Sequence, residues 1–444
     1  MARKVFISVL GTGFYGKCKY IKDDFVSTDT RFIQRATLEL LNATEWREAD
    51  TALFLLTSRA KAINWDKIIT ERKHFTANEN IPYKGLERVL EEMKLPFSPS
   101  VIDIPEGKDE KEMWEIFDKL YKSLDDNDEL YFDLTHSFRY LPMLVLVFGN
   151  YVKFLKNAKV KHISYGNYEA RNTETNEAPI IDLLSISELQ DWTFASADYL
   201  ENGNVERLTT LCTSFAKPIL KETKGQDKNA YYLNQFAKLL KAVVEERQTC
   251  RGINIIESTS IKGLKKVITE IPEITIEPMK PIFVKIKDSI DNYDENTNIE
   301  NGFKAAFWCL GNGLYQQAVT IFHENVVSYL CEQTNLNWKE QSQRECVNTA
   351  LTIYVNNIDE DKWKISSKKE EAEDMEFEIK WKKSKIKSLL SNEQLRLISK
   401  PFMKMNDLRN DFNHSGMRNN PMSVESLKDK LAESIKEVLN VINQ

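Results

Sequence analysis

The chain lacks any apolar run of the length that crosses a bilayer, about 20 residues, so no membrane association is expected. Its six cysteines are scattered, with no CxxC pair and no zinc spacing, which predicts reduced thiols in a cytosolic protein. It also lacks an excess of basic residues, because 61 Lys and Arg stand against 67 Asp and Glu. The net charge of −6 argues against a basic coat for long nucleic acids but leaves room for a local phosphate site.

Several common functional motifs are missing as well. There is no Walker A loop, no GxSxG elbow and no Cys/His metal cluster, so no metal or cofactor is expected. A signal peptide is not expected, since Gly11-Thr12-Gly13 ends the first apolar run early and no small-residue cleavage site follows. We interpret that run as a first β-strand.

What is present in the first 185 residues is an alternation of strand-like and helix-like segments, which predicts an α/β, Rossmann-like domain with a mainly parallel sheet. The predicted strands are Lys4–Leu10, Thr51–Thr57, Val101–Ile104, Leu130–Leu134, Val160–Tyr165 and Pro179–Leu184. The predicted helices are Phe32–Leu41, Gly85–Met93, Glu110–Leu124 and Phe138–Leu155.

From about Ile186 the strand signal fades and helical spacing dominates, so an all-α region is predicted. The three prolines within Ile271–Ile282 indicate a connector. We therefore divide the chain into an α/β domain at 1–185, a helical linker region at 186–300 and a helical domain at 301–444. Helices predicted in the last part are Phe303–Leu310, Leu314–Leu330, Asn392–His414 and Val424–Ile442.

The run from Arg409 to His414 combines two groups suited to cleaving RNA without a metal. Arg409 offers a planar charged fork that matches a phosphate, and His414 can exchange a proton near neutral pH, with Asn410 placed to orient either. The simpler interpretation is a helix end, closed by Ser415-Gly416. On one helix Arg409 and His414 lie about 140° apart, so a complete pocket requires two copies of the helix, as in a homodimer.

A second candidate site follows the predicted strand that ends near Asp133. In open α/β sheets ligands bind beyond the carboxyl ends of the strands, where helix N-termini attract anions. Side chains there supply hydroxyl, imidazole and guanidinium donors: Thr135, His136, Ser137 and Arg139. The alternative is a plain helix N-cap by Thr135 or Ser137.

Two further loops would flank the same pocket. Gly11-Thr12-Gly13 begins a GxGxxG pattern, but a strand-like segment follows it rather than a helix, so a dinucleotide site is not favoured over a tight turn. The strand before it should lie centrally, which places the loop near Asp133. Thr57-Ser58, after another predicted strand, would form a third wall.

These motifs, in this order, resemble a CARF–HEPN ribonuclease, an ancillary nuclease of type III CRISPR systems. The segments Val5–Gly13, Phe54–Trp65, Ile104–Gly107 and Tyr131–Met143 resemble successive parts of a CARF domain, with Ser137 where glycine is expected. Gly313–Ala318 with Glu324 is similar to the first HEPN helix, and Arg409 to His414 matches the Arg-x4-His pattern. The resemblance covers 1–185 and about 300–444.

The resemblance implies an activity. A cyclic oligoadenylate, with four adenylates favoured, would bind a CARF dimer as an allosteric activator, and the HEPN dimer would then cleave single-stranded RNA, leaving a 2′,3′-cyclic phosphate. Arg409, His414 and Asn410 would be the catalytic residues. Three alternatives remain open: a nucleotide-sensing regulator without nuclease activity, an enzyme that degrades its own cyclic ligand, and a Rossmann-type small-molecule enzyme, which the absent helix behind Gly11–Gly16 disfavours.

Overall fold

The computed structural model describes residues 2–66, 70–73, 80–136, 140–270, 279–367, 369–417 and 419–442, and side chains at 70–73, 80–83 and 141 are outside it. The chain divides into two compact units, Met1–Gln190 and Asp191–Gln444. The boundary falls inside one helix, Leu184–Asn202. The division into 1–185, 186–300 and 301–444 stays a prediction.

The first unit is built on an eight-stranded sheet with the order β3-β2-β10-β9-β8-β1-β4-β7, and β5 pairs with β6 in a separate hairpin. The strands are β1 Lys4–Leu10, β2 Lys19–Lys22, β3 Phe25–Val26, β4 Thr51–Leu56, β5 Thr70–Lys73, β6 Asn80–Tyr83, β7 Ser100–Asp103, β8 Glu129–Asp133, β9 Lys159–Gly166 and β10 Glu177–Asp182. Within the large sheet only β9–β10 and β2–β3 are antiparallel. The predicted mainly parallel sheet is confirmed.

The inner strands β1, β4 and β8 are mostly apolar because both faces of the sheet are covered. Alternate side chains of β1 point to opposite faces. Val5, Ile7 and Val9 pack in one core with residues of two helices, Glu110–Lys122 and Leu141–Lys156. Phe6 and Leu10 pack in the other core. The unit is therefore a three-layer α/β/α arrangement.

Five helices accompany this sheet before the boundary helix: α1 Ile33–Leu40, α2 Ser58–Ala60, α3 Leu86–Met93, α4 Glu110–Lys122 and α5 Leu141–Lys156. The first turn of α5 contains Pro142, where a missing N–H does no harm. The predicted start of this helix, Phe138, lies outside the described residues, and α5 begins at Leu141 with Tyr140 as its N-cap.

Beyond the boundary helix, α6 Leu184–Asn202, every described element is helical, which confirms the predicted all-α region. The α-helices are α7 Glu206–Glu222, α8 Lys228–Gln248, α9 Gly252–Glu257, α10 Thr259–Ile268, α11 Lys280–Asp288, α12 Glu300–Gly311, α13 Tyr315–Gln333, α14 Gln341–Asn356, α15 Ala372–Leu390, α16 Glu393–Asn413 and α17 Val424–Ile442. In none of the described segments does a helix combine the length and apolarity that a membrane crossing needs.

The predicted connector Ile271–Ile282 lies mostly outside the described residues. Its end was wrong, because α11 begins at Lys280 and includes Pro281 and Ile282. A proline in the first helical turn costs nothing there, since its N–H would have no partner inside the helix. Proline content alone therefore misplaced this boundary.

Helix α13 is the centre of the second unit. Twelve of its nineteen residues are buried, and it packs against α12, α14 and α16. Its crossing with α12 is close, because a Cβ atom at Gly302 would lie only 2.0 Å from Asn325 Oδ1. This crossing fixes the position of the polar residues that follow Thr320 along α13.

Candidate functional site

Three loops meet at the carboxyl edge of the sheet. Leu10 at the end of β1 pairs with Leu56 at the end of β4, so Gly11 and Thr57 leave adjacent positions. On the other side of β1, Ser8 pairs with Asp133, the last residue of β8. The sequence-predicted residues at 11–13, 57–58 and 135–136 are thus brought to one edge, as parallel strands require.

A buried amide ties two of these loops together. Residues Lys61–Trp65 form one π-helical turn after α2, and this turn carries Asn64 inward until it is fully buried. Its Nδ2 donates to the carbonyl oxygens of Gly11 at 2.7 Å and Gly13 at 2.9 Å. Asn64 lies in the stretch that resembles a CARF domain, but sequence reasoning gave it no role, because its partners lie about fifty residues earlier.

Thr57 and Ser58 take different places in the third loop. Thr57 is the N-cap of α2, and its hydroxyl accepts from the Ala60 N–H at 3.2 Å. It is buried, whereas Ser58 is exposed. Of the predicted ligand-binding hydroxyls here, Ser58 is the accessible one.

The Thr135 hydroxyl is used inside the protein. It donates to Asp133 Oδ1 at 2.6 Å and accepts from the Gly166 N–H at 2.8 Å. Ser8 Oγ donates to the second oxygen of the same carboxylate at 2.7 Å. Burial raises the pKa of Asp133, and the hydrogen bonds from Thr135 and Ser8 counter it in part. The arrangement fixes the backbone where β8 ends.

His136 is a half-buried neutral ring rather than an exposed cation. It stacks on Tyr15 with ring centroids 3.9 Å apart, and its Nε2 has no hydrogen-bond partner among the described residues. Burial lowers the pKa of His136 to about 4. Thr135 and His136 line a cavity of about 210 Å³ whose other walls include the side chains of Tyr20, Tyr165 and Tyr168. An aromatic wall of this kind suits a flat base.

The remaining residues predicted for this site differ in their exposure, and two of them are not described. Thr12 is half-buried and Gly13 is exposed on the loop after β1. Ser137 and Arg139 lie outside the described residues. Since α5 begins at Leu141 with Tyr140 as its N-cap, Thr135 does not cap it, and a ligand-binding role of Thr135 and His136 stays a prediction. These two residues belong instead to the turn before the helix.

The second candidate site lies at the end of α16. Arg409 and Asn410 are half-buried in its last turn, and His414 is the exposed C-cap residue, whose N–H donates to the Asn410 carbonyl at 3.0 Å. Ser415 and Gly416 have φ angles of +54° and +67°, which ends the helix as the sequence indicated. Helix end and candidate site therefore coincide.

The Arg409 guanidinium is held from α13. Its Nη2 lies 3.2 Å from Glu324 Oε1, and its buried Nε has no hydrogen-bond partner among the described residues. Arg344 of α14, which sequence reasoning missed, reaches the other oxygen of Glu324 at 2.7 Å. Burial raises the pKa of Glu324, but His323 and Arg344 outweigh it and lower that pKa to about 2. Glu324 is therefore a carboxylate at neutral pH.

His323, next to this carboxylate, faces the interior. It is 4% exposed, stacks on Phe402 with centroids 4.4 Å apart, and its Nδ1 lies 3.4 Å from Glu324 Oε1. Burial lowers the pKa of His323, so the ring is neutral at pH 7. His414, in contrast, is open to solvent. Of these two histidines, His414 is the one that a dissolved substrate reaches.

Comparison with known proteins gives a family match within the first unit. Residues 5–169 match the sequence model of the family described as "CRISPR system endoribonuclease Csx1, CARF domain". The CRISPR-associated protein MJ1674 of Methanocaldococcus jannaschii is 27% identical over 262 residues, which cover 57% of this chain. The chain spans only 38% of that relative's length. The first unit is thus similar to a CARF domain of a CRISPR protein.

One solved structure aligns over nearly the whole chain. It is Enterococcus italicus Csm6 bound to cyclic hexa-2′-fluoro-hexa-dAMP, which covers 99% of this chain and 94% of its own at 13% identity. The TM-score is 0.42, too low to carry an inference about fold or ligand.

Proposed function

We propose that the protein is a metal-independent endoribonuclease that a cyclic oligoadenylate activates, and that it degrades single-stranded RNA in type III CRISPR antiviral defence. The match of residues 5–169 to a CARF domain supports the sensing half. The observation that carries the nuclease half is the end of α16, where an incompletely bonded Arg409 precedes the exposed His414 by five residues. A sensor and a candidate RNA-cleaving site in one chain favour a switched nuclease.

The sheet edge suits a ring of adenylates, most simply cyclic tetra-adenylate. Gly13 and Ser58 would expose backbone and hydroxyl groups to a phosphate, and Thr12, next to Gly13 in the chain, is half-buried. The Tyr-lined cavity beside His136 would accept an adenine face. Because His136 is neutral, it would hydrogen-bond to a base or phosphate without an ion pair. A ring with internal symmetry would bind across a two-fold axis between two copies.

The end of α16 supplies the groups for a reaction in which the 2′-hydroxyl of the RNA is the nucleophile. The 2′-oxygen attacks the adjacent phosphorus as the bond to the 5′-oxygen breaks, which leaves a 2′,3′-cyclic phosphate. Arg409 holds the phosphate and stabilises the charge that grows on it. His414 takes the proton of the 2′-hydroxyl, and His414 of a second copy returns a proton to the leaving oxygen. Asn410 orients the imidazole or the phosphate.

The helix geometry supports a homodimer. Arg409 lies in the last turn of α16 and His414 caps it, so one helix presents the two side chains in different directions. Two copies that meet across a two-fold axis would place both kinds of group around one phosphate. The site would then form only in the assembled protein.

The test is to incubate the full-length protein with a fluorophore–quencher RNA in EDTA, adding cyclic tri-, tetra- or hexa-adenylate separately. We expect cleavage with the tetra-adenylate, none without a ligand, and products that end in a cyclic phosphate. Silence with all three rings would favour the regulator without nuclease activity. Cleavage that requires a divalent metal would contradict the mechanism.

A further inference from the structure

The second unit contains a cavity of about 420 Å³. It lies between the α8–α9 turn, α13 and the loop before α14, and neither the comparisons nor the RNA-cleaving residues account for it. Its size is within the range of about 300–1,000 Å³ that is usual for small-molecule sites. The side chains on which the argument depends are Arg251, Thr320, Glu324, Trp338, Lys339 and Arg344.

The cavity is next to the candidate nuclease site. Glu324, one of its walls, shares its carboxylate between Arg344 at 2.7 Å, another wall, and Arg409 at 3.2 Å. One side chain therefore separates the cavity from the guanidinium that would hold the RNA phosphate. A nucleotide beside that phosphate has this cavity within reach.

The walls carry the groups that hold nucleobases in single-stranded RNA. Trp338 gives a half-buried aromatic face, and Lys339 lies 5.1 Å from the centre of its ring. Arg251, an exposed planar cation, lines the same cavity. Bases stack on tryptophan and on guanidinium planes, and hydroxyls such as that of Thr320 read their edges.

The aromatic wall is held in place. Arg344 donates to the Trp338 carbonyl at 3.0 Å and to Ser328 Oγ at 2.6 Å, and its other nitrogen donates to the Glu324 carbonyl at 2.9 Å. Lys339 also pairs with Glu257 of α9. The loop with Trp338 is thereby fixed to α13 and to α9. Ligand binding therefore costs little conformational entropy in this loop.

We propose that this cavity binds a nucleobase of the RNA strand next to the phosphate that is cleaved, and so sets the base preference. The proposal rests on the proposed nuclease function for its choice of RNA. Trp338 stacks on the base, Arg251 covers it from the opposite wall or holds the next phosphate, and Thr320 contacts the base edge.

The first measurement is cleavage of short RNAs that differ in one base beside the cut, by the full-length activated protein. Trp338→Ala should raise KM about tenfold and remove the base preference, and Trp338→Phe should restore most of both. Arg251→Ala, which loses only a bond to the Thr249 carbonyl, should raise KM about threefold. The matched controls are Trp363→Ala and Arg396→Ala. Trp363 is half-buried elsewhere in the unit, and the native Arg396 side chain, like that of Arg251, donates to a backbone carbonyl.

A second measurement tests nucleotide binding in the cavity independently of the proposed nuclease function. Saturation-transfer NMR with 5′-AMP, GMP, CMP and UMP should show binding to the wild type and its loss in Trp338→Ala. If RNA is cleaved normally while neither variant changes KM or base preference, the pocket assignment is overturned. If no activator yields cleavage but Trp338-dependent nucleotide binding persists, the nuclease function fails, and the cavity is a site for free nucleotides.

Discussion

The two candidate sites use their polar groups in opposite ways. At the sheet edge Thr135, Asp133 and Asn64 are buried or half-buried and bond to other parts of the same unit. At the end of α16 the Arg409 Nε has no partner in the described part of the chain, and His414 is exposed. The first arrangement maintains the shape of the sheet edge, and the second keeps charge available for a reaction.

The largest expected effect is on RNA cleavage, from substitutions at the end of α16. His414→Ala should lower RNA cleavage by about 10²- to 10⁴-fold, because a positioned proton donor or acceptor contributes that much. Arg409→Ala should act similarly, while Arg396→Ala in the same helix should not. The measurement is the single-turnover rate with a fluorescent RNA, alongside binding of the cyclic activator, which should be unchanged. A His414→Ala protein that cleaves at the normal rate would reverse the assignment.

Substitutions of Thr135 test whether the buried hydrogen bonds stabilise the sheet edge. Thr135→Val removes a donor to Asp133 and an acceptor for the Gly166 N–H, and should cost about 1–3 kcal/mol of unfolding free energy. Thr135→Ser keeps the hydroxyl and should cost less. Chemical denaturation gives both values. Equal losses for the two variants would mean that the hydroxyl does not maintain this edge.

The buried histidines of the first unit give a pH test. Burial lowers the pKa of His162 to about 4, so only the unfolded chain takes up a proton as the pH falls below about 6.5. Relative to His162→Gln, the wild type should lose about 2 kcal/mol of unfolding free energy between pH 7.5 and 5. Asp133, whose pKa is raised, acts oppositely in both proteins and cancels from the difference. A difference that stays constant with pH would contradict a buried neutral ring.

The smallest effect is expected for Glu324→Gln. The carboxylate pairs with Arg409 and Arg344 but is 41% exposed, so its loss should cost at most about 1 kcal/mol of stability. Cleavage should stay within about tenfold of the wild type, since the charge of Arg409 remains. Thermal unfolding and the cleavage rate check both. A loss as large as that of Arg409→Ala would make the carboxylate part of the reaction.

The sequence was informative where burial dictated the pattern. Strands β1, β4 and β8 were placed within one residue at each end, because both faces of the sheet demand apolar side chains there. The hairpin of Thr70–Lys73 and Asn80–Tyr83 was missed, since one strand is wholly polar and the other contains Pro82. Neither carries the alternation that predicts a strand.

For the sites, sequence reasoning found residues but not their partners. The loops at Gly11, Thr57 and Thr135 followed from strand order. The roles of Arg344 and Asn64 were missed because their contacts cross twenty and about fifty positions of the chain, and no periodic pattern encodes such a contact. The sequence also could not show which hydroxyls are already hydrogen-bonded inside the protein, as that of Thr135 is.

The amide of Asn64 has a mechanical consequence. With one hydrogen bond to Gly11 and another to Gly13, it makes the loop after β1 and the π-helical turn after β4 a single stiff body. If the proposed ligand binds here, a phosphate that displaces either loop would displace both, and the displacement would reach the ends of the two parallel strands β1 and β4 together.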